Sequence, residues 1–173
     1  MNKLNRHIYL IGMPGCGKSS LGKRIAASLK LPYVDTDVLL TESLQMDTKQ
    51  ILEQYGEQAF RNAETNILSH LSAAKPCLIS TGGGLPLKEI NQRIMQNNGY
   101  IVLIDRPLEM IKSNIRIEKR PLLVKKGIQE LDRIYAIRMP IYAKLADEIL
   151  VNTSNMFEAM KRLEDIVQKQ CSL

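Results

Sequence analysis

Gly12-Met13-Pro14-Gly15-Cys16-Gly17-Lys18-Ser19 stands between the apolar run Ile8-Tyr9-Leu10-Ile11 and a stretch in which Leu21, Ile25 and Leu29 recur every four residues. The spacing G-x-x-x-x-G-K-[ST] is that of a phosphate-binding loop. Small residues let successive backbone N–H groups turn inward on phosphate oxygens, while Lys18 reaches the β/γ-phosphates and Ser19 offers a hydroxyl to Mg²⁺. The flanks supply the context this chemistry needs. A buried strand before the loop and an amphipathic helix after it place the anion at a helix N-terminus, where unpaired N–H groups and the helix dipole favour negative charge. A chance glycine-rich turn would carry neither flank.

A chain of 173 residues can bury a real core and is too short for two full domains, so one domain is expected. The net charge of +6 is a footprint that nucleic-acid binders share. With no Trp, two Phe and six Tyr, however, there is no basic stripe studded with aromatics, and the basic excess suits anionic small molecules better. Cys16, Cys77 and Cys171 form neither a paired framework nor a metal spacing, which points to a reducing compartment. Cys16 sits where a helix N-terminus can acidify a thiol; the plainer reading is a small filler. No signal peptide or membrane span is evident, so a cytoplasmic protein is expected, without nucleic-acid or membrane partners and as a monomer.

Short apolar runs alternate with helical patterns along the chain. Strands are expected at 7–12, 32–35, 76–80, 100–105 and 148–151, and helices at 19–29, within 38–71, and at 87–96, 108–115, 128–145 and 156–167. Strands joined by helical crossovers imply an α/β fold: a five-stranded parallel doubly wound sheet with helices on both faces. The segment 116–126 lacks periodicity, is dense in charge and carries Arg120-Pro121, so it reads as a lid over the site.

Asp35-Thr36-Asp37 closes the second expected strand, and ligands bind at strand C-termini in such sheets. Strand alternation points both carboxylates the same way. One can accept from the water shell of Mg²⁺ and the other from an acceptor hydroxyl, as phosphoryl transfer to an alcohol requires. An Asp capping the helix at Val38 is the plainer alternative, and Asp37 can serve both ends. In Gly56-Glu57-Gln58-Ala59-Phe60-Arg61-Asn62-Ala63-Glu64 the helix face expected toward the core is Phe60, Ala63, Ile67 and Leu71. Arg61 and Glu64 are then neighbours three apart, either an ion pair on a solvated face or a carboxylate that holds an arginine fork extended toward another carboxylate. Thr81-Gly82-Gly83-Gly84 exposes backbone N–H groups and permits close approach of a ligand.

Together these residues resemble the shikimate kinase family over nearly the whole chain. The motifs that carry the resemblance are G-M-P-G-C-G-K-S-S, D-T-D, G-E-Q-A-F-R-N-A-E, T-G-G-G, K-R-P-L-L at 119–123 and R-M-P-I-Y-A-K-L-A from Arg138. The resemblance implies phosphorylation of the 3-hydroxyl of shikimate by ATP with Mg²⁺, in the route to chorismate and aromatic amino acids. It implies catalytic roles for Lys18, Asp37 and Arg120, and nucleotide contacts from Gly15, Cys16, Gly17, Lys18, Ser19, Ser20, Arg120 and Asn155. It also implies shikimate contacts from Asp37, Arg61, Gly82, Gly83, Gly84 and Arg138 within a substrate segment at about 36–64, and Mg²⁺ held by Ser19 with Asp35 acting through water. From the residues alone, Arg138 reads as a surface position on a long helix.

The sequence departs from the family at the base-binding side. Ser113 stands where many members stack an arginine on adenine, and Leu52 where some place an aromatic at the substrate pocket. His7 and His70 read as structural or exposed. A gluconate or nucleoside-monophosphate kinase of the same architecture remains as a rival, as does a nucleotide-binding module without acceptor chemistry.

Overall fold

Five short runs of apolar residues pair side by side into one sheet. The computed structural model describes residues 3–115, 127–153 and 155–172. The expected lid at 116–126, with Arg120, lies outside them. Strand β1 is Lys3–Leu4 and β2 is His7–Ile11; β3 is Tyr33–Asp35, β4 Leu78–Ser80, β5 Gly99–Asp105 and β6 Glu148–Val151. The order is β3-β4-β2-β5-β6, with every neighbouring pair parallel. All five residues of β2 are buried, the continuous apolar pattern of a central strand covered on both faces. Two-residue β1 pairs antiparallel with β7, Cys171–Ser172. Runs this short have no periodicity to read, and nothing in the sequence marks them as strands.

Helix α1, Lys18–Leu29, buries Leu21, Ile25 and Leu29 as the four-residue spacing predicts. Helix α2, Thr36–Leu44, begins directly after β3. Asp35 is its N-cap, accepting the N–H groups of Asp37 at 3.1 Å and Val38 at 3.4 Å. Asp37 therefore belongs to the first helical turn. Helix periodicity, rather than strand alternation, sets the angle between the two carboxylates, and the capping role falls to Asp35 instead of Asp37.

Helix α3, Thr48–Ser72, opens on a capping box in which Asp47 and Gln50 bond each other's backbone N–H at 2.8 and 2.9 Å, a device worth about 1 kcal/mol. It is interrupted at Gly56, whose φ of 79° and ψ of 171° leave the helical region. Beyond the kink the most buried positions are Phe60, Glu64 and Leu68, while Ala63 and Ile67 are only partly buried. The buried stripe is thus rotated from the one expected, and it carries a carboxylate inward. Phe60 joins Leu40 and Ile51 in a small second core under α2 and α3, against which Leu52 packs.

After β4 a 3₁₀ turn at Leu85–Leu87 precedes α4, Glu89–Asn98, where a single helix at 87–96 is expected. Helix α5 is Leu108–Asn114, α6 Glu130–Leu145 and α7 Met156–Gln168. The phosphate loop, Asp35, Thr81 and Asn152 all leave the C-terminal ends of the strands, the side on which open parallel sheets bind ligands.

Candidate active site

The loop after β2 turns through glycines held at positive φ: Gly12 at 141°, Gly15 at 82° and Gly17 at 106°. Gly17 is the N-cap residue of α1. Inside this turn lies the Lys18 ammonium, buried and donating to the carbonyls of Gly12 and Met13, both at 3.0 Å. No ion pair reaches it among the described residues. A buried cation met only by neutral dipoles is poorly compensated, and the loop is therefore built to receive an anion. Cys16 is fully buried under the loop, with its thiol 3.7 Å from the Lys18 Nζ.

Ser19 donates its hydroxyl to Asp35 Oδ2 at 2.6 Å. A hydroxyl and a carboxylate side by side at a phosphate site form an all-oxygen donor set suited to a hard cation that keeps much of its water, as Mg²⁺ does. These residues fit the metal and the nucleotide phosphates that the sequence implies. A cavity of about 190 Å³ joins this corner to the next group of residues, being lined by Pro14, Gly15, Gly17, Lys18, Ser19, Ser20, Asp37, Thr81 and Gly83. A larger cavity of about 300 Å³ opens at the other end of the sheet among Arg6, His7, Ser72 and Gly99. It is walled by helix C-termini and strand beginnings, away from the strand ends where open parallel sheets bind ligands.

The glycines at 82–84 act as a floor. A Cβ on Gly82 would overlap the Asp37 carboxylate, and one on Gly84 would overlap the Arg61 guanidinium. On Gly83 it would lie 3.3 Å from both Arg138 Nη1 and the Pro14 ring. Side chains from α2, α3 and α6 thus converge over three bare backbone positions. The Gly82 N–H is already donated to Thr36 Oγ1 at 2.9 Å, so at that residue the absent side chain, more than the amide, serves the site.

Glu64 binds Arg61 Nη1 at 2.8 Å, and Glu57 lies 3.5 Å from Nη2. Burial pushes the Glu64 carboxyl above the usual carboxylate range, opposed by Arg61 and Arg138 and reinforced by Asp37. For Arg61, burial works against the charged form, but Glu64 and Glu57 outweigh it and its pKa is raised. The Arg61–Glu64 pair is buried on the carboxylate side and is not the solvated ion pair that its spacing most often means. One turn beyond Arg138, the buried Tyr142 donates its hydroxyl to the Gly83 carbonyl; burial pushes its pKa up to about 12. Two guanidinium groups, Arg61 and Arg138, and two carboxylates, Glu64 and Asp37, therefore gather around the glycine floor, and of these Asp37 lines the cavity shared with the phosphate loop. This arrangement can hold an anionic acceptor at one end and a phosphate chain at the other.

Asn155 is engaged locally through its side chain. It caps α7, its side-chain oxygen taken by the N–H groups of Phe157 at 3.0 Å and Glu158 at 3.4 Å. Ser113 is exposed and bonds the Met110 carbonyl at 3.0 Å. Three residues of the site belong to none of the roles read from the sequence: Thr36, Tyr142 and Asn152. Asn152 carried the one available signal, a polar residue directly after a strand on the ligand side of the sheet.

A sequence profile of the shikimate kinase family matches residues 14–169. The shikimate kinase of Clostridium botulinum strain Eklund 17B is 38% identical over 164 residues, covering 95% of this chain and 98% of its own. Among solved structures, shikimate kinase from Acinetobacter baumannii in complex with shikimate aligns with a TM-score of 0.84 at 30% identity, covering 95% of this chain and 92% of that one. Shikimate kinase from Aquifex aeolicus aligns with a TM-score of 0.79 at 34% identity, covering 91% of this chain and 93% of that one.

Proposed function

The chain belongs to the shikimate kinase family, and from that membership and the geometry of the site we infer that it transfers the γ-phosphoryl group of ATP, with Mg²⁺, to the 3-hydroxyl of shikimate. The products are shikimate 3-phosphate and ADP. The observation that carries the reading is the cavity lined together by Lys18, Ser19 and Asp37, with Arg61 and Arg138 at the glycine floor beside it. Shikimate has one carboxylate and three hydroxyls, so its acid end suits the Arg61 and Arg138 forks, and Asp37 can accept a hydrogen bond from the hydroxyl that attacks.

Bound MgATP supplies the phosphoryl group and the electrophilic phosphorus. The chain's residues position and neutralise. Lys18 sets its ammonium against the transferring phosphate, Ser19 and Asp35 hold the metal's oxygen shell, and Asp37 orients the acceptor. Transfer of this kind is loose, so orientation by Asp37 counts for more than early proton removal. Glu64 keeps Arg61 extended, and the glycine floor keeps both arginines in reach. We assign Arg120, outside the described residues, to charge stabilisation of the transferring phosphate, on the resemblance alone. The same reading makes the chain a single domain, with its substrate segment at 36–64. It further takes the protein as a cytoplasmic monomer acting on a small molecule, without nucleic-acid or membrane partners; among the described residues no helix is long and apolar enough to cross a membrane.

The test is ADP release measured with shikimate, gluconate and nucleoside monophosphates in turn. Turnover is expected with shikimate only and only with Mg²⁺, and Lys18→Ala should lower kcat roughly a hundredfold or more. Equal turnover with gluconate would sink the substrate assignment, and near-normal turnover of a folded Lys18→Ala protein would remove the loop from the chemistry.

A further inference from the structure

Asn152 is the first residue beyond β6, 1% exposed, and anchored by its own backbone N–H to the Asp105 carbonyl at 2.6 Å. Its side-chain Nδ2 donates to the Cys16 carbonyl at 2.7 Å, across a separation of 136 residues. The rest of its amide is costly: Oδ1 is buried with no partner among the described residues. An unpaired buried acceptor offsets the gain of the bond that the same amide makes. The amide's orientation follows from its donor, because turning it over would set two oxygens against each other.

The peptide that Asn152 grips joins Cys16 to Gly17. In a trans peptide the C=O and the following N–H point in opposite directions. Drawing the Cys16 carbonyl outward to Asn152 therefore turns the Gly17 N–H inward, toward the concave side of the loop where Lys18 lies. That N–H has no other partner among the described residues. Gly17 also fits this contact sterically: its φ is +106°, and a Cβ there would stand 2.8 Å from Asn152 Nδ2. The brace is rigid, because Asn152 continues the β5–β6 ladder past the pair Asp105↔Val151.

We propose that Asn152 is a positioning residue of the nucleotide site, holding the Cys16–Gly17 peptide so that the Gly17 N–H is aimed at a nucleotide phosphate before the ligand arrives. The inference rests on the reading of this loop as the ATP phosphate site. It assigns the end of the last parallel strand to the loop that follows the central one, and it predicts an effect on nucleotide and not on shikimate.

Asn91 provides a matched control within the same molecule. It too is buried, donates Nδ2 to a carbonyl, that of Leu85 at 2.8 Å, and leaves Oδ1 unpaired. The Asn152→Ala and Asn91→Ala proteins are compared with the parent by thermal unfolding, by titration with a fluorescent N-methylanthraniloyl ADP in Mg²⁺, and by calorimetric titration with shikimate. Both variants should lose comparable stability. Asn152→Ala should bind the ADP analogue about tenfold more weakly, as expected for one hydrogen bond's worth of preorganisation, with shikimate affinity within about twofold of the parent. In steady state its KM for MgATP should rise while that for shikimate stays. Asn91→Ala should retain the parent's affinity for the analogue. Binding of the analogue by a folded Asn152→Ala protein as tightly as by the parent, or an equal loss in Asn91→Ala, would overturn the proposal. Failure of the parent itself to bind the analogue would overturn the nucleotide reading, and the proposal with it.

Discussion

Arg61 shows how one side chain can be specified by residues far from it in sequence. Its guanidinium is held from one side by Glu64 at 2.8 Å and faced from the other by Gly84, where a Cβ would overlap it. Removing the guanidinium and displacing it should therefore have similar consequences. Arg61→Ala and Gly84→Ala are each expected to weaken shikimate binding, the first by about 2–4 kcal/mol for a charged hydrogen-bonded partner. Affinity for nucleotide should stay nearly unchanged in both, because the cavity at Lys18, Ser19 and the loop glycines is lined by neither Arg61 nor Gly84. Calorimetric titration with shikimate and, separately, with ADP reads the split. Parent-like shikimate affinity in Gly84→Ala would show that the floor tolerates a methyl and that Arg61 is placed by Glu64 alone.

Helix α3 is the element on which the substrate side depends, and Gly56 is its adjustable joint. Nothing lies within 4 Å of a Cβ built there, yet its φ of +79° disfavours any L side chain. Gly56→Ala therefore tests backbone conformation without a steric clash. With ψ at 171° this conformation is one essentially reserved for glycine, so the cost should be about 1–3 kcal/mol of stability, measured by urea unfolding. If the joint sets the phase of the second half, shikimate affinity should fall further than stability accounts for, while nucleotide affinity holds. A variant that is less stable but binds shikimate as before would mean the kink relieves strain without aiming Arg61. The other elements carry less of this burden: α1 and β2 follow their own periodicity and bury what their patterns predict.

Across the whole molecule, the end of the sheet opposite the active site holds His7, which is buried. Its Nδ1 accepts the Cys77 N–H at 3.2 Å, and its ring centroid lies 5.8 Å from that of Tyr9. Burial lowers its pKa from 6.5, against the opposing pull of nearby carbonyls at Ser72, Cys77 and Ala74. A histidinium could not accept the Cys77 N–H, which acts in the same direction. Below pH 6.5 the unfolded chain then binds a proton that the folded chain refuses, so stability falls with pH in that window and is insensitive to His7 above it. Urea unfolding between about pH 7.5 and 5 should show this decline, and a folded His7→Gln protein should show a shallower one. An unchanged slope in the variant would place the acid sensitivity elsewhere in the fold.

Interactions local in sequence are legible in the order of residues alone: the phosphate loop between strand and helix, the five strands in order, the alternation of helices, and Asp35-Thr36-Asp37 beside the loop. Each depends on spacing within a dozen residues, which periodicity and turn chemistry report directly. The family resemblance added the acceptor and the second arginine, Arg138, which spacing alone would have left on a surface. What remained hidden was set by contacts between elements. The stripe of α3 that faces inward, Phe60, Glu64 and Leu68, follows an interruption of the helix at Gly56. The use of Gly82, Gly83 and Gly84 depends on side chains arriving from α2, α3 and α6. The grip of Asn152 on the Cys16 carbonyl exists only because β5 and β6 lie side by side in the sheet. Chain order determined which chemical groups the protein carries to the C-terminal edge of its sheet. Packing decided which of them touch, because a hydrogen bond or an overlap is fixed by tenths of an ångström between segments whose separation in sequence does not enter.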